Sequence, residues 1–184
     1  MSPLLKSTEK AGVRGLRRKR NPVSISPEDF FKESDVLRQE FAKLIHASDS
    51  KRIVIIPSVS YGLASVARNL IIGRAEKIIV AADQFPSNYY PWQRLAAANK
   101  SELVAVAPPD ELEQRGRIWN ERILDAIDNR TKAVAIGNIH WADGTLFRLE
   151  EIRKRTRDVG ALLIIDGTQS VGALPFDVNQ IQPD

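Results

Sequence analysis

From position 52 onward the apolar residues fall into two kinds of run that alternate along the chain. Short continuous blocks are "RIVIIP" (52–57), "KIIVAA" (77–82), "ELVAVA" (102–107), "KAVAIGN" (132–138) and "ALLIID" (161–166). Between them apolar residues recur at helical spacing, in "YGLASVARNLII" (61–72), "YPWQRLAAANK" (90–100), "WNERILDAID" (119–128) and "LEEIRKRTRDV" (149–159). Strands that are apolar throughout, without in–out alternation, belong to sheets covered on both faces, and strands alternating with helices build parallel sheets. The pattern therefore predicts an α/β fold, a mostly parallel sheet with helices on both faces. Upstream, "SISPEDFF" (24–31) predicts a further helix start, with Ser26 as cap, Pro27 at the first helical position, and Glu28 and Asp29 at the positive dipole end. Phe30, Phe31, Leu37, Phe41, Leu44 and Ile45 give it an apolar face. Gly160 stands where a helix end favours glycine, and Pro108–Pro109 marks a loop.

Composition narrows the class. The 184 residues suffice for one core-forming domain, and 43% hydrophobic with 27% charged is ordinary for a globular chain. No apolar run approaches the ~18 residues of a membrane span, and the N-terminus has no apolar secretory stretch, so no membrane contact and a cytoplasmic location are expected. With no cysteine, this chain has no disulfide, thiolate metal site or cysteine nucleophile. Charge is uneven. Residues 1–22 carry seven basic residues against Glu9, a net +6, while the whole chain is only +4. This sets a basic N-terminal segment, 1–22, apart from a domain over 23–184. "RRKR" (17–20) has the charge to touch nucleic acid, but no aromatic interleaves with it and no nucleic-acid motif follows. A solvated helix end is the expectation, with no nucleic-acid partner.

In open α/β sheets ligands bind beyond the carboxyl ends of the strands, so the segments after each strand are where chemistry is sought. "SVSYG" (58–62) offers hydroxyls and free N–H groups at a helix start, suited to a phosphate, or simple capping by Ser58 or Ser60. It is not a P-loop, and no G-x-G-x-x-G occurs in the chain. "QFPSNYYPW" (84–92) gathers four aromatics that can stack on a flat ring or pack beneath the loop. "IHWADG" (139–144) holds one of the two histidines; the other, His46, reads as surface. "DGTQS" (166–170) places a carboxylate directly after "ALLII", where it needs a cationic or hydrogen-bonding partner. A turn closed by Thr168 or Ser170 would supply one without any function.

Together these four segments resemble the fold-type I enzymes that use pyridoxal 5'-phosphate. Within them the likeness is to the class V aminotransferase family, which includes cysteine desulfurases, isopenicillin-N-epimerase-like proteins and kynureninases. The resemblance covers most of the chain, and "D-G-T-Q-S-V-G", "H-W-A-D-G" and "Q-F-P-S-N" are fairly specific as a set. It implies the large-domain core of such an enzyme. Asp166 would face the pyridine nitrogen and keep it protonated, and Gln169 would lie near the phenolic oxygen. Val59 and Ser60 would join the phosphate cradle. Phe85 would stack on the ring, where desulfurases use a histidine. Asn88 and His140 or Trp141 would surround cofactor or substrate, with His140 beside Asp166 as the catalytic candidates. The family also implies an amino-acid substrate and a homodimer.

One family feature has no counterpart. The lysine that forms the Schiff base with the cofactor lies downstream of the Asp-x-x-Gln segment, and here the last lysine is Lys154. The chain is therefore expected to be an incomplete piece of such an enzyme, cut at both ends and inactive alone. The alternatives are a non-catalytic remnant or binding module that keeps the pocket, and an unrelated phosphoryl-transfer or hydrolytic α/β enzyme using Asp166.

Overall fold

The computed structural model describes residues 3–184. Its elements are α1 (Lys6–Arg18), α2 (Asp29–Leu44), α3 (Val59–Asn69), β1 (Lys77–Ala81), α4 (Tyr90–Asn99), β2 (Glu102–Val106), α5 (Arg115–Ala126), β3 (Thr131–Gly137), α6 (Leu149–Asp158), β4 (Leu162–Asp166) and α7 (Val178–Ile181). The four strands form one sheet in the order β2-β1-β3-β4, and each pairing is parallel. Ala81 pairs with Val106 and Gly137 with Asp166. The strands therefore end at a common edge, and the loops after β1, β3 and β4 leave from it.

Both faces of the sheet are covered, as the continuous apolar strands require. Ile78, Val80, Ala133, Ala135 and Ile164 pack with Leu63 and Ala67 of α3 and Trp92 of α4. Ile79, Val134, Ile136 and Leu163 point the other way, into Trp119 and Ile123 of α5, Ile152 of α6 and Ile181 of α7. Alternate residues of each strand thus feed opposite layers. Gly160 ends α6 with φ +72°, a conformation that costs glycine nothing. Among the described residues no helix is long and apolar enough to cross a membrane.

Two local expectations are corrected. The run 52–57 is not a strand. Ser50–Arg52 form a short 3-10 turn under Asp49, and 53–56 join no sheet. Val54, Ile55 and Ile56 stay largely exposed, and Ile56 lies so close to Gly62 of α3 that a β-carbon there would meet it at 2.6 Å. The segment is laid on α3 instead of beside a strand, and Pro57 removes a ladder donor. Ser26 does not cap α2 by accepting. Its N–H and hydroxyl both donate to the Asp29 carboxylate, the N–H at 3.0 Å.

Within the basic segment Lys6–Arg18 form α1, which has no buried residue. Arg18 ties it to α2 through Asp29 (2.5 Å) and Glu33 (2.7 Å). His46 is exposed, as expected, and its Nδ1 lies 3.3 Å from Asp177.

Candidate functional site

A cleft of about 290 Å³ opens at the carboxyl edge of the sheet, at the small end of the ~300–1,000 Å³ range of ligand pockets. It gathers Val59 and Ser60, Phe85 and Asn88, His140, and Asp166 and Gln169. Every candidate site residue read from the sequence thus lines one cavity. Sequence reasoning did not single out Gln84, Gly137 and Phe147, which also line it; the apolar run that ends β3 and the aromatic-rich loop gave no chemical signal for Gly137 and Gln84, and Phe147 carries no reactive group.

Four elements build the walls. Asp166 is the last residue of β4, half-buried. Its Oδ1 accepts from the N–H (3.1 Å) and hydroxyl of Thr168, which fixes the carboxylate in an Asx-type turn. A β-carbon at Gly167 would come within 2.7 Å of Val171 Cγ2, so this turn needs glycine between the two partners. The second oxygen, Oδ2, has no partner among the described residues, and no cationic side chain pairs with Asp166. Gln169, exposed beside it, has a free amide.

α3 brings its N-terminus to the cleft. Ser58 Oγ accepts from Tyr61 N–H at 3.2 Å, so the capping reading of Ser58 holds. One capping oxygen satisfies one donor only, and the first-turn N–H groups of Val59 and Ser60 remain open, in the positive field of the helix dipole.

The loop after β1 supplies an aromatic and two buried amides. Phe85 is half exposed and stands edge-on to Trp141, with ring centroids 5.5 Å apart. Asn88 is buried, and its Oδ1 accepts from Trp92 Nε1 at 2.9 Å. That bond anchors the loop to the core and, among the described residues, leaves Asn88 Nδ2 without a partner. Gln84 donates from Nε2 to the carbonyls of Asn88 and Ala135, while its buried Oε1 has none. An orphaned acceptor beside a cavity is a place where a ligand or water donor is missing.

The loop after β3 contributes His140, whose two ring nitrogens both face acceptors. His140 is 5% exposed. Its Nδ1 lies 3.1 Å from Asp143 Oδ1 and its Nε2 lies 3.2 Å from the Asp83 carbonyl. Burial alone would raise the Asp143 pKa. Hydrogen bonds from Thr145 N–H, Arg115 and the Thr145 hydroxyl, and the charge of His140, outweigh it and hold Asp143 at about 2. Its folded pKa is thus below the ordinary ~3.9. The associated stability is fully present above pH ~4 and is lost as pH falls toward 2. The urea midpoint should therefore drop between pH 4 and pH 2 in the native chain, and drop less in Asp143→Asn. An equal drop in both would show that Asp143 does not carry it.

The cleft thus offers a free carboxylate oxygen, open helix N–H groups with a hydroxyl, an aromatic face and unpartnered amides. This set fits a flat ring that carries a protonated nitrogen and an anionic group. Among the described residues no cluster of His, Asp and Glu could hold a metal ion.

Comparison with known proteins bears on the same region. The sequence model of the family described as "Aminotransferase class-V" matches residues 21–184. A probable cysteine desulfurase of Methanothermobacter thermautotrophicus is 34% identical over 147 residues, covering 80% of this chain and 35% of the relative. The structure of a cysteine desulfurase from Thermococcus onnurineus superposes with a TM-score of 0.70 at 28% identity, over 82% of this chain and 36% of that one. At 19% identity, a variant of the protein C-DES with glycine linked to its pyridoxal-phosphate cofactor shares the fold, with a TM-score of 0.74 over 95% of this chain and 46% of that one. The chain therefore spans under half the length of these proteins.

Proposed function

Because the chain belongs to the class-V aminotransferase family, we propose that its cleft is the cofactor-ring and phosphate part of a pyridoxal 5'-phosphate site, in an enzyme that acts on an amino acid. The observation that supports this best is Asp166, held by Thr168 on one oxygen and, among the described residues, free on the other and unpaired with any cation. Such a carboxylate suits the N–H of a protonated pyridine ring. When bound, the cofactor supplies an electron sink for bonds broken at the α-carbon of an amino acid.

This chain's own residues would bind and orient that group. Asp166 Oδ2 accepts from the ring nitrogen and favours its protonated form. The N–H groups of Val59 and Ser60, with the Ser60 hydroxyl, hold the phosphate. Phe85 covers one face of the ring, and Gln169 and Asn88 Nδ2 donate to its oxygen substituents. No lysine lies between Asp166 and Asp184. The span described here therefore binds the cofactor without attaching it and does not turn over by itself. In the complete protein two copies pair; the exposed Phe30, Phe31, Leu37 and Leu44 of α2 supply apolar surface for that contact.

The test is a titration of the purified chain with pyridoxal phosphate, followed by cofactor absorbance and by quenching of tryptophan emission, Trp141 being the half-exposed tryptophan at the cleft. Saturable binding of one equivalent is expected. Treatment with borohydride and mass analysis should then find no stoichiometric adduct. Absence of saturable binding would sink the cofactor reading; a stoichiometric lysine adduct would sink the claim that attachment needs a residue outside this span.

A further inference from the structure

Two loops that are far apart in sequence meet at one carbonyl. Asp83 follows β1 in a left-handed conformation, φ +54°, a strain of order 1 kcal/mol for a residue with a β-carbon. That conformation turns its carbonyl toward the loop after β3, where it accepts from Trp141 Nε1 at 2.7 Å and from His140 Nε2 at 3.2 Å. The other side of His140 is held just as firmly. Asp143 Oδ1 faces its Nδ1 and also accepts from Thr145 N–H at 3.0 Å. Arg115 of α5 donates from Nε to Asp143 Oδ2 at 2.9 Å. The His140 ring stands edge-on to buried Trp119, centroids 4.9 Å apart, and the Arg115 guanidinium lies over the same indole. A chain of contacts therefore runs from α5 through Asp143 and His140 to Asp83. From there it reaches the Phe85–Trp141 pair at the mouth of the cleft.

We propose that His140, Asp143 and Arg115 are positioning residues. Acting through the Asp83 carbonyl, they set Phe85 and Trp141 as one aromatic wall, aimed to grip a flat ring, and His140 serves as a strut in place of a proton-transfer group. The assignment rests on the cofactor-ring reading of the cleft. Both His140 nitrogens face acceptors, and the ring is buried against Trp119. Asp143 does not line the cleft, so any effect it has on a bound ring passes through His140. Gly144 N–H bonds the His140 carbonyl at 3.0 Å and His140 N–H bonds the Thr145 carbonyl at 2.8 Å, which makes the β3 loop rigid enough to transmit a displacement.

The test measures pyridoxal phosphate affinity and the near-ultraviolet circular dichroism of the tryptophans, in the native chain, Asp143→Asn, His140→Gln, the double variant and Trp141→Phe. Positioning predicts that Asp143→Asn weakens binding several-fold and alters the dichroism, although it touches no ligand. It also predicts that the double variant is no weaker than His140→Gln alone, since residues acting in one chain are non-additive. Trp141→Phe, which keeps an aromatic ring but removes the N–H to Asp83 at an exposed position, should weaken binding comparably without harming the fold. Additive effects, or native affinity and dichroism in Asp143→Asn and Trp141→Phe, would overturn the assignment. If the native chain fails to bind the cofactor, the underlying reading fails, and the dichroism alone still decides whether Asp143 and His140 hold the aromatic pair.

Discussion

In a complete enzyme containing this span, Asp166→Ala should lower kcat/KM by at least about 10²–10³-fold, the scale seen when one preorganised electrostatic partner is removed from a reacting group. The same change should weaken pyridoxal phosphate binding by the isolated span, while its far-ultraviolet dichroism stays native. The reasoning starts from placement. Asp166 ends β4, in register with Gly137 of β3, so its carboxylate leaves the sheet at the edge where the β1 and β3 loops also arrive. Thr168 fixes one oxygen and the other is uncommitted. Truncation removes two hydrogen bonds at a half-buried position, a cost of about 1 kcal/mol each, which the folded domain tolerates. What it removes from the proposed site is the only carboxylate lining the cleft among the described residues. Asp166→Asn separates charge from shape, because the amide keeps an acceptor for Thr168 but no negative charge. It should be nearly as damaging as alanine. Steady-state kinetics on the two variants provide the check, and retention of native kcat/KM in either one would show that Asp166 does not serve the ring nitrogen.

How far the sequence reaches depends on which force decides each element. The strands at 77–82, 102–107, 132–138 and 161–166 and the four helices around them were legible because burial on two faces writes the same apolar run into any parallel strand. The run 52–57 carried the same composition and misled for that reason. What makes a strand is a partner edge, and residues 53–56 have none. Ser26 misled in a similar way, since a serine hydroxyl both donates and accepts, and Asp29 three residues on took the accepting role. Five of the site residues were legible through their place after strands, Val59 and Ser60 through their place at the start of α3, and all seven converge on the cleft. Their individual roles were less so. Nothing in "HWADG" announces that His140 has both nitrogens occupied, because one partner is a backbone carbonyl 57 positions upstream. Nor does "QFPSN" reveal that Asn88 anchors the loop to Trp92.

Trp119→Ala should be the most destabilising single change in the domain, by about 3–5 kcal/mol. Trp119 is fully buried in the layer that joins α5 to β1, β3 and β4. It also meets Phe147 edge-on at 5.1 Å, and its Nε1 donates to the Val106 carbonyl at 2.8 Å, at the end of β2. Alanine would leave a cavity between helix and sheet and remove one of the two hydrogen bonds on the Val106 carbonyl, which still accepts from Ala82 N–H at 2.9 Å. Since domains of this kind are stable by only about 5–15 kcal/mol, a loss of that size takes much of the total. The thermal midpoint should fall by at least about 6 °C, at 2–4 °C per kcal/mol for a chain of this length. Trp119→Phe separates the two causes, because it fills most of the volume and loses only the N–H. It should cost about 1 kcal/mol, the net contribution of one ordinary hydrogen bond. Trp119 is also the surface against which His140 rests, so the phenylalanine variant should disturb the cleft more than its stability loss suggests. Urea denaturation followed by circular dichroism checks both values. A loss under about 1 kcal/mol for the alanine variant would mean that α5 can collapse onto the sheet without its indole, and that this layer is packed far more loosely than its full burial indicates.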